Sequence, residues 1–195
     1  HNVIVVTINY RLGAFGWFTH PAIQSDQDGL DKTSNFGTLD IIQALKWTKN
    51  NIDSFGGDPN NITIFGESAG GHNVLSLLVA PQAKGLFHKA ISQSGYTTSV
   101  SKDHAYVTVE DNPIFKHTSN EVVKRIVPNS DKITLFELKE KLYSLSSKEF
   151  FSEYSDSSNL EMPLLTNDGI VIPELGLEKA LKYKRHTKNI PLIAG

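Results

Sequence analysis

Ile62-Thr63-Ile64-Phe65-Gly66-Glu67-Ser68-Ala69-Gly70-Gly71 decides the fold. Four residues of high β propensity run into a glycine, and an apolar helical pattern begins only two residues later. The helix is expected from about Ser68 to Val79, with Pro81 closing it. A strand that turns into a helix with almost no loop forces a tight, strained turn at Ser68. Such a turn lifts the hydroxyl to the carboxyl edge of a sheet and aims the free N–H groups of the helix at the same point. Gly66 and Gly70 are both expected to be glycine because a side chain at either would collide with the neighbouring strand or helix. A bare Gly-x-Ser-x-Gly should arise by chance roughly once in fifteen chains of this size. The strand before it and the helix after it are what give it meaning.

Working outward, Val3 to Ile8 reads as a strand buried on both faces of a parallel sheet. Asn9 to Phe36 reads as a long polar loop. A helix follows from Gly37, with Ile41, Ala44, Leu45, Thr48 and Ile52 on one face, and the turn-rich Phe55-Gly56-Gly57-Asp58-Pro59-Asn60-Asn61 stops it. Lys89 to Ser94 is a third strand. Strand, helix, strand, helix, strand predicts an α/β architecture: a doubly wound, mostly parallel sheet with right-handed crossovers. Residues 97–165 differ in character. Asn120 to Val127 and Leu135 to Leu145 have helical spacing, and seven of the residues from Ser144 to Ser158 are serine. That block is expected to be a helical insertion carrying a solvated serine-rich loop. Ile170 to Pro173 reads as a short β segment, Leu175 to Tyr183 as a helix, and Pro191 to Gly195 as a strand just begun. Both ends read as cut through a sheet, so residues 1–195 are expected to be the central piece of one larger domain.

Composition excludes several functions. The net charge of −2 gives no basic stripe for nucleic acid. No apolar run approaches the roughly 20 residues of a membrane span. The seven histidines show no metal-ligand spacing, and the absence of cysteine removes disulfides and thiol catalysis. No cofactor or metal is implied. Compartment and oligomeric state are not readable; cytoplasmic and secreted locations both fit.

Asn9-Tyr10-Arg11-Leu12-Gly13, Asn35-Phe36-Gly37, Phe55 to Asn61, Phe65 to Gly71, Lys84-Gly85-Leu86-Phe87-His88 and Ile91-Ser92-Gln93-Ser94-Gly95 together resemble the type-B carboxylesterase/cholinesterase family of α/β-hydrolases. The resemblance is dense from Val3 to Gly95, faint to Pro163 and weak from Asp168 onward. It implies the α/β-hydrolase fold and hydrolysis of a small-molecule carboxylic ester by a serine–histidine–acid triad. Ser68 falls on the nucleophile and the Ala69 N–H on one oxyanion donor. The family's further oxyanion donors, its acid and its histidine match no segment of residues 1–195, so this stretch alone is expected to lack significant esterase activity. The alternative the resemblance leaves open is a non-catalytic binding or adhesion domain of the same fold; a peptidase or thioesterase is a more distant one.

Glu67 is either a carboxylate stabilised by the helix N-terminus or a group that orders water or substrate beside Ser68. Ser94 is either a strand-end residue that caps local backbone or a support for the site. His72, one helical turn after Ser68, is expected to pack or hydrogen-bond rather than act as the base. His20, His88, His104, His117 and His186 are expected on the surface or in loops. Arg11 is expected in a buried ion pair, and Trp47 and Phe65 in the core.

Overall fold

In a computed structural model, residues 2–106, 118–154, 163 and 165–195 are described. In chain order the helices and strands are α1 (Gly13–Gly16), α2 (Pro21–Gln24), α3 (Phe36–Asn51), β1 (Thr63–Glu67), α4 (Ala69–Val79), β2 (Lys89–Gln93), β3 (Val100–Ser101), α5 (Lys102–Tyr106), α6 (Ser119–Ile126), α7 (Leu135–Tyr143), α8 (Ser147–Ser152), β4 (Thr166–Asn167), α9 (Leu177–Leu181) and β5 (Leu192–Ala194). β1, β2 and β5 form a parallel sheet in that order, with Phe65 opposite Ile91 and Ile91 opposite Ile193. β3 and β4 pair in a separate parallel ladder.

The core lies where α3 and α4 meet the sheet. Ile41, Ile42 and Leu45 of α3 pack with Ile64, Val74, Leu75, Leu77, Leu78 and Ala90. Every residue of α4 from Gly71 to Val79 is buried. Its apolar residues drive it inside, and the buried polar side chains His72, Asn73 and Ser76 each have a hydrogen-bond partner. Its C-terminus is closed by Lys188, whose ammonium donates to the carbonyls of Leu77 (2.8 Å), Leu78 (3.3 Å) and Ala80 (2.8 Å). A cation there also meets the negative end of the helix dipole. α3 stops as expected: Gly56 takes φ +82°, and Gly56 and Gly57 return their N–H groups to Asp53 and Ile52.

Several expectations need correction. Val3 to Ile8 is not a strand: it forms no ladder with the described residues, and Val3 and Val5 are 73% and 62% exposed. A groove of about 840 Å³, lined by this segment, β1, α3 and α4, takes the place of a hydrogen-bonded neighbour. Phe65 lines the same groove and is exposed, because side chains alternate along β1 and Ile64 takes the inward face. Trp47 is also exposed, tilted against Phe55 with ring centroids 6.1 Å apart. Asn9 to Phe36 is not all loop, since α1, α2 and a short 3-10 turn lie within it. Ile170 to Pro173 makes no strand. The Asp168 carboxylate instead accepts the N–H groups of Ile170, Val171 and Ile172 at 2.9–3.0 Å, bending the chain into a turn.

Arg11 does pair, with Asp40, through Nε (2.8 Å) and a terminal nitrogen (2.7 Å), but the Arg11 side chain is half exposed. These bonds hold the Asp40 carboxyl below its usual range. The asparagine of Asn35-Phe36-Gly37 acts as a strand partner: its amide donates to Thr166 O (2.8 Å) and accepts from Thr166 N (2.9 Å). Gly37 has no room for a β-carbon, which would stand 2.6 Å from the Trp17 ring. Within the serine-rich stretch the described residues run to Tyr154. Ser146 and Glu149 form a capping box that starts α8, as Thr134 and Glu137 do for α7. Its remaining serines, Ser155, Ser157 and Ser158, lie outside the described residues, as does His117.

His20 lies in the loop before α2, one of its two expected places, but is buried, and its Nδ1 accepts the Ala22 N–H to cap α2. Burial pushes its pKa down to about 4. The folded state therefore binds the proton later than the unfolded state, whose histidine titrates near 6.5. The stability from neutral His20 is complete above pH 6.5 and declines as pH falls towards 4. Thermal melts across that window should show a falling midpoint, and His20→Asn, which keeps a capping acceptor, should flatten the slope. Lys188→Met should destabilise the fold by about 2 kcal/mol, since it frees three carbonyls at the end of α4. Urea denaturation of the two forms measures this directly.

Candidate active site

Ser68 stands between β1 and α4 with φ +54° and ψ −114°, a conformation that costs a non-glycine residue about 1–3 kcal/mol. The strain follows from the crossing of strand and helix. A β-carbon at Gly66 would lie 2.5 Å from the carbonyl carbon and oxygen of Gly70, so the chain doubles back on itself between these residues. The expected symmetry between the two glycines does not hold. At Gly70 a β-carbon meets nothing within 4 Å among the described residues. The crowded position is Gly71, where it would come 2.9 Å from Gln93 O and from the Cα of Gly95.

The hydrogen bonds at the turn divide the donors. Ser68 N–H is held by Gln93 O of the adjoining strand (2.9 Å), and His72 N–H by Ser68 O (3.0 Å). Ala69, the first helical residue, has no helical carbonyl for its N–H. Ser68 is exposed, and its side chain does not cap α4. An exposed hydroxyl beside an uncommitted N–H at a positive helix end suits attack on a carbonyl and stabilisation of the resulting oxyanion.

Ser94 lies at the end of β2, the strand beside Ser68. It has φ +49°; it and Ser68 are the two non-glycine residues with positive φ among those described. Its N–H donates to Gly195 O, extending the β2–β5 ladder. Glu67, the last residue of β1, is exposed and sits opposite Gln93. His72 packs and hydrogen-bonds, as expected. It is buried, its Nε2 lies 2.8 Å from Thr98 O, and its ring stacks on Tyr96 at 4.3 Å. Burial lowers its pKa, only partly offset by the bond to Thr98. The structure thus brings Ser68, Ala69, Glu67 and Ser94 together along two strand ends and directs His72 towards the 94–98 loop. The residue that sequence reasoning passed over is Tyr96. Its link to His72 spans 24 positions, and no local pattern encodes it.

Gly66→Ala and Gly71→Ala should each destabilise the fold by about 3 kcal/mol, because the obstructing atoms are backbone. Gly70→Ala should cost clearly less. Chemical denaturation of the three variants orders them, and a Gly70→Ala loss equal to that of Gly66→Ala would contradict the geometry.

Comparison with known proteins identifies the family of the chain as a whole. The model of the carboxylesterase family matches residues 1–195. Over 106 residues, 54% of this chain and 21% of the relative, the sequence is 52% identical to para-nitrobenzyl esterase of Bacillus subtilis. It is 36% identical over its whole length to carboxylesterase 1D of Mus musculus, covering 33% of that protein. The chain thus spans a third or less of the length of these relatives. Among solved structures, a PNB esterase superposes on 96% of this chain and 37% of its own with a TM-score of 0.72 and 30% identity. A carboxylesterase of Geobacillus stearothermophilus does so with a TM-score of 0.72 and 32% identity, covering 96% of this chain and 35% of its own. The elbow at Ser68 and the parallel strands beside it are part of an α/β-hydrolase fold, and the chain belongs to the carboxylesterase family.

Proposed function

We propose that the protein hydrolyses small-molecule carboxylic esters with Ser68 as nucleophile. The observation that carries this is the backbone of Ser68, held at φ +54° between β1 and α4 with its side chain exposed. Ser68 Oγ adds to the ester carbonyl carbon, and the Ala69 N–H donates to the oxyanion. Collapse of the tetrahedral intermediate releases the alcohol and leaves an acyl-serine. Water then attacks the acyl-serine, releasing the acid and restoring the hydroxyl. The proton is taken and returned by a histidine other than His72, whose Nε2 is committed to Thr98 O. Ser94 and Glu67 support the site from the ends of β2 and β1, and the described helices α5 to α8 belong to a helical insertion. No described helix is long and apolar enough to cross a membrane. A non-catalytic binding role is less favoured, because the serine and its strained turn are both intact.

In the protein as its source makes it, a fluorophosphonate probe should label Ser68. Ser68→Ala should abolish labelling and reduce ester turnover by several orders of magnitude. Peptide mapping that placed the adduct on Ser92, Ser94 or another serine would overturn the assignment.

A further inference from the structure

The end of α9 and the segment after it gather positive charge. From Lys179 to Lys188 the chain holds five Lys or Arg residues, and from Lys179 to Gly195 it holds no Asp or Glu. The near balance of the whole chain, −2, hides this run. The fold adds Lys84, from the turn after α4. Burial lowers the pKa of Lys188 to about 8, and the positive charge of Lys84 adds to the effect, so the two ammonium groups feel one another.

The charges stand on a rigid mount. Leu177 and Ala180 bury α9 against the core, and Lys188 spends its ammonium on the carbonyls that end α4. Between these anchors His186 N–H donates to Tyr183 O at 2.9 Å, closing a tight turn with Lys184 and Arg185 as its central residues. The Arg185 guanidinium lies over the Tyr183 ring, 5.3 Å from its centroid, and its Nε donates to His186 Nε2 at 3.1 Å. Tyr183 is itself 51% exposed. Lys84, Lys179, Lys182, Lys184 and Arg185 are all exposed. Lys182 pairs with Glu178 at 2.8 Å, an exposed pair of the kind that contributes little. Among the described residues no carboxylate pairs with the other four.

We propose that this turn and the lysines around it form a docking surface for an anionic lipid bilayer. A chain of negative overall charge is drawn to an anionic plane only through a face where its cations are segregated, and that is the arrangement here. Clustered Lys and Arg beside an exposed tyrosine suit the headgroup region, where the ring sits among the polar groups and the cations meet lipid phosphates and carboxylates. Single-stranded nucleic acid is the less suitable polyanion. It would need a free aromatic face for its bases, and Arg185 covers one face of Tyr183. The surface is independent of the chemistry at Ser68. It lies at the end of α4 that Lys188 closes, and Ser68 stands at the other end of this eleven-residue helix, about 16 Å away along its axis. Docking therefore leaves the elbow uncovered.

The test is co-sedimentation of the protein, as its source makes it, with phosphatidylcholine vesicles holding about 30% phosphatidylserine. Binding is expected at low salt, release at about 0.5 M salt, and no binding to vesicles of phosphatidylcholine alone. Lys184→Gln combined with Arg185→Gln should weaken binding at least tenfold, from about fivefold for each cation. Lys84→Gln combined with Lys179→Gln, which leaves the contacts of the turn intact, should weaken it similarly. Lys141→Gln combined with Lys148→Gln, the same change of charge on α7 and α8, should leave it unaltered. No binding to the anionic vesicles, equal binding to both kinds of vesicle, or binding unchanged in both of the first two variants would overturn the proposal. Retention on heparin or duplex DNA without vesicle binding would do so too, and would assign the surface to another polyanion. Fluorophosphonate should label Ser68 at the same rate in free and vesicle-bound protein, and slower labelling on the vesicle would overturn the orientation. A protein that never labels would count against the esterase reading, and the vesicle comparison would still decide the docking surface.

Discussion

The closest approach of backbone to backbone at the elbow, Gly66 against Gly70, fixes everything around it. With no side chain at Gly66, β1 can pass within contact of the first turn of α4, and Ser68 must absorb the reversal of direction. A residue strained by about 1–3 kcal/mol stays strained only if its surroundings outweigh that cost. Here they do. On one side Ser68 N–H is tied to β2, and on the other the helix it begins is buried along almost its whole length. The hydrophobic burial of Val74, Leu75, Leu77 and Leu78 holds the strained serine in place.

The anchoring of α4 continues beyond the apolar core. Asn73 reaches Tyr10 (3.0 Å), whose ring meets Trp17 edge-on, so the segment after Ile8 is tied to the middle of the helix. Ser92 holds Gly71 near its start, and Lys188 closes its end. These polar contacts sit at successive heights along one helix. Each satisfies a buried group that would otherwise be costly, and together they define its position more sharply than apolar packing alone would. Precise placement of a nucleophile matters for catalysis because the reactive geometry tolerates little displacement.

The elbow was legible in the sequence because its determinants are local. A β-branched run, two glycines at fixed spacing and an apolar helix leave few alternatives, and Ser68 appears where that pattern puts it. β2, α3 and β5 were legible for similar reasons. What failed depended on partners distant in the chain. Val3 to Ile8 has strand composition, but a strand exists only as one member of a ladder, and no described residue supplies the other. Ile170 to Ile172 has it too, yet the Asp168 carboxylate captures the N–H groups a ladder would use. Phe65 shows the limit of hydrophobicity as a guide: period-two alternation puts Ile64 inside and Phe65 outside whatever their size. Gly70 and Gly71 look interchangeable as letters. Only the approach of Gln93 and Gly95 distinguishes them.

The same hydrogen bonds that hold Ser68 in place also assign the donors around it. A helix begins with N–H groups that have no internal carbonyl, and these are what a developing oxyanion needs. At this elbow Ser68 N–H is consumed by Gln93 O, and the Ser68 carbonyl is consumed by His72 N–H. The Ser68 main chain is therefore fully engaged in fixing its side chain, and the neighbouring N–H that lacks a helical carbonyl is that of Ala69. A small residue suits that position because it keeps the approach to its N–H open. The division also explains why strain and exposure coincide at Ser68 and not one residue later. Positive φ turns the Ser68 N–H back into the sheet, where β2 accepts it, and leaves the Ala69 N–H at the exposed beginning of α4.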